Sequence, residues 1–190
     1  MNITAELNPL MPSLDAVIRL INSFEKQGII IGGVAASLLG KPRLTADVDA
    51  VMTLSLDDLP ILLQTAEKFE LYPRINQVET FARKHHVLLL RHQASGINVD
   101  ISIGMLPFEH EAVERSIVHQ VSELEIRLPT PEDLIIFKAV AHRTKDLQDI
   151  QDIIKSQTKL DKGRIKYWVQ EFARVLEMPE IWDNIAKWLQ

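Results

Sequence analysis

Asp47 and Asp49, separated by one valine, are the residues of this chain best placed by type and spacing to do chemistry. They follow Ile29-Ile30-Ile31-Gly32-Gly33, a short apolar run that ends in two glycines. A glycine pair lets the backbone approach a bulky anion such as a triphosphate, because no Cβ intervenes. A helix starting there adds free N–H groups and its positive dipole end. Residues two apart on a strand project from one face, about 7 Å from each other. Asp47 and Asp49 then form a carboxylate pair while Val48 packs on the other side. A same-face pair beside a phosphate cradle is what Mg²⁺-dependent phosphoryl chemistry requires.

A third acid lies in Gly96-Ile-Asn-Val-Asp100-Ile-Ser-Ile-Gly104, where Asp100 interrupts an apolar strand. A carboxylate beside a core is costly unless cations or hydrogen-bond donors compensate it. Two readings follow: an edge-strand acid facing water, or three carboxylates converging on two divalent ions. Arg43, with Lys41 in the loop before the acids, is either a bidentate phosphate clamp or a solvated loop residue. His85, His86 and His92 have no coherent zinc spacing, and without cysteine no thiolate site or disulfide exists.

Gly32, Gly33, Arg43, Thr45, Asp47, Asp49 and Asp100 together resemble the signature of the DNA polymerase β-type nucleotidyltransferase superfamily. More narrowly, Arg43-Leu-Thr-Ala-Asp-Val-Asp49 is similar to the pattern of bacterial proteins related to AbiEii-type toxins. The resemblance implies metal ligation by Asp47, Asp49 and Asp100, with Mg²⁺ or Mn²⁺ as the ion, and nucleotide phosphates along Gly32 and Gly33. Many members carry serine at the second position of the turn; here Gly33 stands there, which removes one phosphate contact. A later family motif is matched by Thr130-Pro131-Glu132-Asp133 through Lys138, His142, Arg143, Lys145, Asp146 and Asp149.

On a continuous helix Lys138, His142, Lys145 and Asp149 share one face. Lys138 either snorkels out of a packed helix or places its ammonium on the triphosphate. The second reading expects Lys138→Ala to weaken nucleotide binding and spare the fold. Asp149 has two openings, orienting that lysine or assisting the acceptor hydroxyl.

These residues need strands and helices to hold them, and the pattern supplies both. An amphipathic helix is expected over residues 13–27, capped by Ser13 and ended by Gly28. Strands are expected at residues 29–31 and 46–53, flanking a short helix at 34–39. Ser55-Leu-Asp-Asp58 is a capping box for a helix to about Phe69. Strand pairs are expected at 87–92 with 97–103 and at 117–121 with 124–128, while 73–84 is ambiguous. Thr130 and Pro131 open a helical tail with breaks near Gly163 and Pro179, and its Trp168, Trp182 and Trp188 suit packing. The expected fold is α/β (α+β): a nucleotidyltransferase-type mixed β-sheet flanked by helices, over residues 1–129, with a helical C-terminal region at 130–190 packed on it.

The chain has 190 residues and a net charge of −5, with no global basic field for nucleic acid. The first residues lack a signal peptide pattern and no apolar run approaches a membrane span, so a soluble, cytoplasmic protein is expected. The function expected is NMP transfer from an NTP to an acceptor hydroxyl with release of pyrophosphate. The acceptor, a small molecule, RNA or protein, is left open, as is a protein partner. Two alternatives stand beside it: a toxin-like enzyme acting on tRNA or other RNA, and a non-enzymatic nucleotide-binding module.

Overall fold

In the computed structural model, which describes residues 6–189, the acid-bearing strands lie side by side in the middle of a sheet. The five strands are β1 (Gly28–Ile30), β2 (Asp47–Met52), β3 (Leu71–Pro73), β4 (Val87–His92) and β5 (Asn98–Ile103). Their order is β1-β2-β5-β4-β3, with β2 and β5 parallel and the other pairs antiparallel. Alternation explains the placement. Val48, Ala50 and Met52 are buried on one face together with Val99, Ile101 and Ile103. Asp47, Asp49, Asn98 and Asp100 therefore share the opposite face.

Helix α1 (Met11–Asn22) closes the apolar face, its Ile21 lying beside Gly28 and Met52. It begins earlier than its serine suggests, with a proline in the first turn, and Ser13 is buried inside it, Oγ to Oγ 2.7 Å from Ser95. It also ends at Asn22, and Gly28 belongs to β1. Helix α2 (Gly32–Leu39) returns the chain across the site, and Ser55 caps a short turn leading into α3 (Leu59–Glu67) through the expected capping box. The ambiguous stretch contains β3 and then α4 (Val78–His85). Helix α5 (Pro107–Glu114) lies between β5 and the hairpin of β6 (Ile117–Val121) and β7 (Leu124–Leu128).

The last helices are α6 (Pro131–Ala141), α7 (Thr144–Ser156), α8 (Lys162–Val175) and α9 (Glu180–Ala186). Thr130 caps α6 by accepting from the Asp133 N–H. Phe108 of α5 joins this bundle, with ring centroids 4.9 Å from Phe137 and 5.3 Å from Trp168. The bundle is tied to α2: Gln157 Nε2 donates to the Leu39 carbonyl at 2.9 Å, and Ser156 Oγ to Gly40 at 3.2 Å. The expected single helix through Lys138 and Asp149 does not form. His142 takes a left-handed conformation with φ 50°, so α6 stops and α7 turns back against it. No helix among the described residues is long and apolar enough to cross a membrane.

Candidate active site

The parallel register of β2 and β5 sets Asp49 directly beside Asp100, and Asp47 beside Asn98. Neighbouring strands are about 4.8 Å apart, so the three carboxylates crowd one patch of sheet. Thr45 Oγ1 donates to Asp47 at 3.1 Å, and Arg74 Nη2 to Asp100 at 2.5 Å. Asp49 has no side-chain hydrogen bond or ion pair among the described residues. Burial pushes its carboxyl above the usual carboxylate range, Asp47 and Asp100 push it further, and Arg143 and Lys138 pull back without winning. Asp100 is likewise raised, first by burial; Arg74 opposes that shift and Asp47 adds to it. Charges so close in a half-buried setting repel.

Gly32 and Gly33 bring this patch against the start of α2. Gly32 has φ 64°, a left-handed conformation, and the Ile31 N–H is bound to the Asp49 carbonyl at 2.9 Å. A Cβ on Gly32 would overlap the Asp49 carboxylate, and one on Gly33 the Thr45 side chain. Gly32 thus makes room for Asp49 and Gly33 for Thr45, holding Asp49 beside the helix end whose first N–H groups lack intrahelical partners. Gly32→Ala should cost about 1–3 kcal/mol of stability from the strained backbone and displace Asp49. Thermal denaturation alongside an NTP titration checks this: both Tm and affinity should fall, and an unchanged pair of values would contradict it.

Across the patch runs a chain of alternating charges. Arg43 grips Asp149 with two bonds, Nε to Oδ1 at 2.7 Å and Nη2 to Oδ2 at 2.8 Å. Lys138 Nζ lies 2.7 Å from Asp149 Oδ2 and 3.2 Å from Asp146 Oδ1. Arg143 Nε donates to Asp146 Oδ2 at 2.6 Å. The Lys138 ammonium, expected at the triphosphate, is buried at 4% exposure between two acids, so it does not snorkel. His142 leaves this row and its ring meets Asn184 Nδ2 at 2.9 Å. Burial alone would raise Asp146 and Asp149; bonds from Arg143 and Lys138 to one, and from Arg43 and Lys138 to the other, hold both below the usual range. Lys41, Pro42, Arg43, Lys145 and Asp149 line a neighbouring cleft of about 660 Å³.

Residues 10–183 match the family model described as a nucleotidyltransferase of unknown function (DUF6036). The chain belongs to that family. No curated protein sequence matches it. Its fold is similar to an antigenic nucleotidyltransferase-like protein from Paracoccidioides brasiliensis, at TM-score 0.56 and 15% identity over 94% of this chain and 91% of the other. It is also similar to the antibiotic-resistance factor ANT(2'')-Ia, at TM-score 0.59 and 14% identity over 90% and 95%. These likenesses, at such identity, carry the mixed α/β nucleotidyltransferase fold.

For a nucleotidyltransferase the donor set suits a divalent ion: Asp47 and Asp49 offer hard carboxylate oxygens, and Asp49 has no ion-pair partner among the described residues. Asp100 already shares its carboxylate with Arg74. Among the described residues no three carboxylates or histidines stand ready-grouped around one point, so an ion would draw the acids together. Two cations at the site escaped the sequence reading as candidates. Arg74 enters from the end of β3, and Arg143, 59% exposed, sits where its charge acts on Asp49 and Asp47. The available signal for Arg143 was its place in the charged run Arg143-Thr-Lys-Asp146 of the later motif.

Proposed function

We propose that this nucleotidyltransferase moves a nucleoside monophosphate from an NTP to an acceptor hydroxyl and releases pyrophosphate, with Mg²⁺ or Mn²⁺ held by Asp47, Asp49 and Asp100. The observation that carries the reading is Asp49: half-buried, without an ion-pair partner among the described residues, beside Asp100, and set against the glycine turn. The ion, when bound, supplies Lewis-acid stabilisation of the phosphate charge. The turn at Gly32 and Gly33 and the start of α2 seat the triphosphate. Arg143, bonded to Asp146 through Nε and Nη2 but 59% exposed, meets its outer oxygens with the remaining Nη1, and Arg43 closes the loop side. Lys138 and Asp149, expected among the nucleotide-binding groups, act by positioning Arg43.

The acceptor oxygen attacks the α-phosphorus as the bond to the β-phosphate oxygen breaks, and pyrophosphate departs. The hydroxyl proton passes to the Asp100 carboxylate, which lies beside Asp49 on the neighbouring strand. Catalysis is then mostly positioning and charge neutralisation, as in other phosphoryl transfers. Incubating the protein with each α-labelled NTP, Mg²⁺ and either small metabolites or cell RNA tests the reading. Label should move to one pool, and Asp47→Asn should stop it. Label on RNA would favour the AbiEii-like alternative. Nucleotide binding without transfer, unchanged by Asp47→Asn, would favour a non-enzymatic module.

A further inference from the structure

The acidic half of the sheet face continues, across β4 and β3, into a cleft of opposite character. Arg91 stands across from Asn98 in the ladder, and Tyr72 stands across from Arg91. The Arg74 N–H bonds the Leu89 carbonyl, which puts Arg74 opposite Leu89 and hence in line with Asp100. By strand alternation Tyr72, Arg74, Arg91 and Gln93 therefore share the face of Asp47, Asp49 and Asp100. Together with Pro73 they line a cavity of about 590 Å³. That volume lies within the range of small-molecule sites.

The charges in this cleft are unequal. Arg74 is matched by Asp100, yet its Nε is buried without an acceptor. Arg91 has only a neutral partner, its Nε bonding Asn98 Oδ1 at 3.0 Å, and among the described residues no carboxylate lies within ion-pair distance. The cleft's lining carries no acid among those residues. A guanidinium bonded through Nε keeps its outer nitrogens for a two-pronged grip on a phosphate or carboxylate. Tyr72, 40% exposed and next to it, offers a flat apolar wall.

We propose that this cleft is the acceptor site and that it takes a small acceptor bearing a phosphate or carboxylate group. The inference rests on the nucleotidyl-transfer reading, because the acceptor hydroxyl must lie beside Asp100. The Arg91–Asn98 pair is one ladder step of two residues from the Leu89–Asp100 pair. The acceptor's anion and its reacting hydroxyl are then separated by on the order of 7 Å, the span of a phosphorylated sugar. A polycation meets two guanidiniums and is repelled.

Calorimetric titration of the protein without NTP or metal, using inorganic phosphate, acetate, glucose 6-phosphate and spermidine, tests this directly. A 5′-phosphorylated RNA oligonucleotide and an NTP are titrated in parallel. At least one of the three anions should bind with a component that Arg91→Ala weakens about tenfold or more and Arg91→Glu removes, while spermidine shows no such component. Arg91 is exposed, so both variants should fold, and circular dichroism checks that. Anion binding with no Arg91-dependent component overturns the proposal, as does spermidine binding that depends on Arg91. Arg91-dependent binding confined to the RNA overturns it too, since the acceptor is then a strand. If NTP neither binds nor transfers label while anions still need Arg91, the transfer reading fails and the anion site stands. Active NTP transfer with Arg91-independent anion binding defeats the acceptor inference alone.

Discussion

Asp49→Asn is expected to abolish nucleotidyl transfer, by about 10³-fold or more, while raising the Tm of the metal-free protein. Loss of one preorganised charge-stabilising group at a reacting centre costs about 10²–10³-fold, and here the same change also removes a ligand from the ion. The gain in stability has a separate cause. The Asp49 carboxylate is half-buried beside Asp47 and Asp100 with no side-chain donor to it among the described residues, and its carboxyl is raised above the usual range. A group whose folded value lies above its unfolded value binds protons more readily in the native state. The native state is therefore penalised at neutral pH, and the penalty lifts as pH falls through the raised value toward the ordinary carboxylate range. The amide carries no such penalty. The Tm difference between variant and wild type should be largest at pH 7 and shrink on acidification toward the unfolded carboxylate value of about 4. Mg²⁺ with NTP should raise the wild-type Tm and leave the variant nearly unmoved, since a ligand stabilises only the state that binds it. A variant that is both inactive and less stable at pH 7 would mean that Asp49 supports the fold and would remove the main support for the site.

The acidic motif was legible because short-range rules decide it. Two acids at strand spacing, an apolar run before a glycine pair and a clear helix start at Thr130 each follow from residues adjacent in sequence. The hairpin of β6 and β7 was readable for the same reason. Arg74 was not. Its strand is three residues long, ends in a proline and pairs only at the sheet edge, so no alternation marks it, and its contact with Asp100 spans 26 positions. The break at His142 was hidden differently. No glycine or proline stands there, and the charged residues on either side keep helical spacing. Histidine tolerates the left-handed conformation better than most residues. The turn lets Lys138 meet Asp146 and Asp149 from a facing helix rather than from along its own. Helix α5, by contrast, carried its signals in Pro107 and Glu109, and its place was missed without a physical reason.

That facing arrangement reverses the expectation that Lys138→Ala spares the fold. Lys138, Asp146 and Asp149 have side chains 4%, 0% and 5% exposed, so removing the ammonium leaves two buried carboxylates held by one arginine each. Breaking a buried ion pair from one side costs about 3–5 kcal/mol. The expected loss sits near the lower figure, about 3 kcal/mol, because Arg43 and Arg143 remain. Urea unfolding should show a lower midpoint with an unchanged slope, the mark of altered stability alone. Charge and packing separate with a second variant: Lys138→Met keeps the volume, and should lose nearly as much. The pH dependence separates them again. Asp146 and Asp149 are held below the usual range despite burial, by Arg143 and Lys138 and by Arg43 and Lys138. Their contribution is full above the unfolded carboxylate value of about 4 and is lost as pH falls through the lowered folded values. The gap between wild type and Lys138→Met should therefore be widest at neutral pH and close on acidification below about pH 4. Nucleotide affinity should fall in the same variant where it still folds, since Asp149 then holds Arg43 without its second cation. A Lys138→Met protein as stable as wild type, at every pH, would show that the buried chain contributes nothing net to folding.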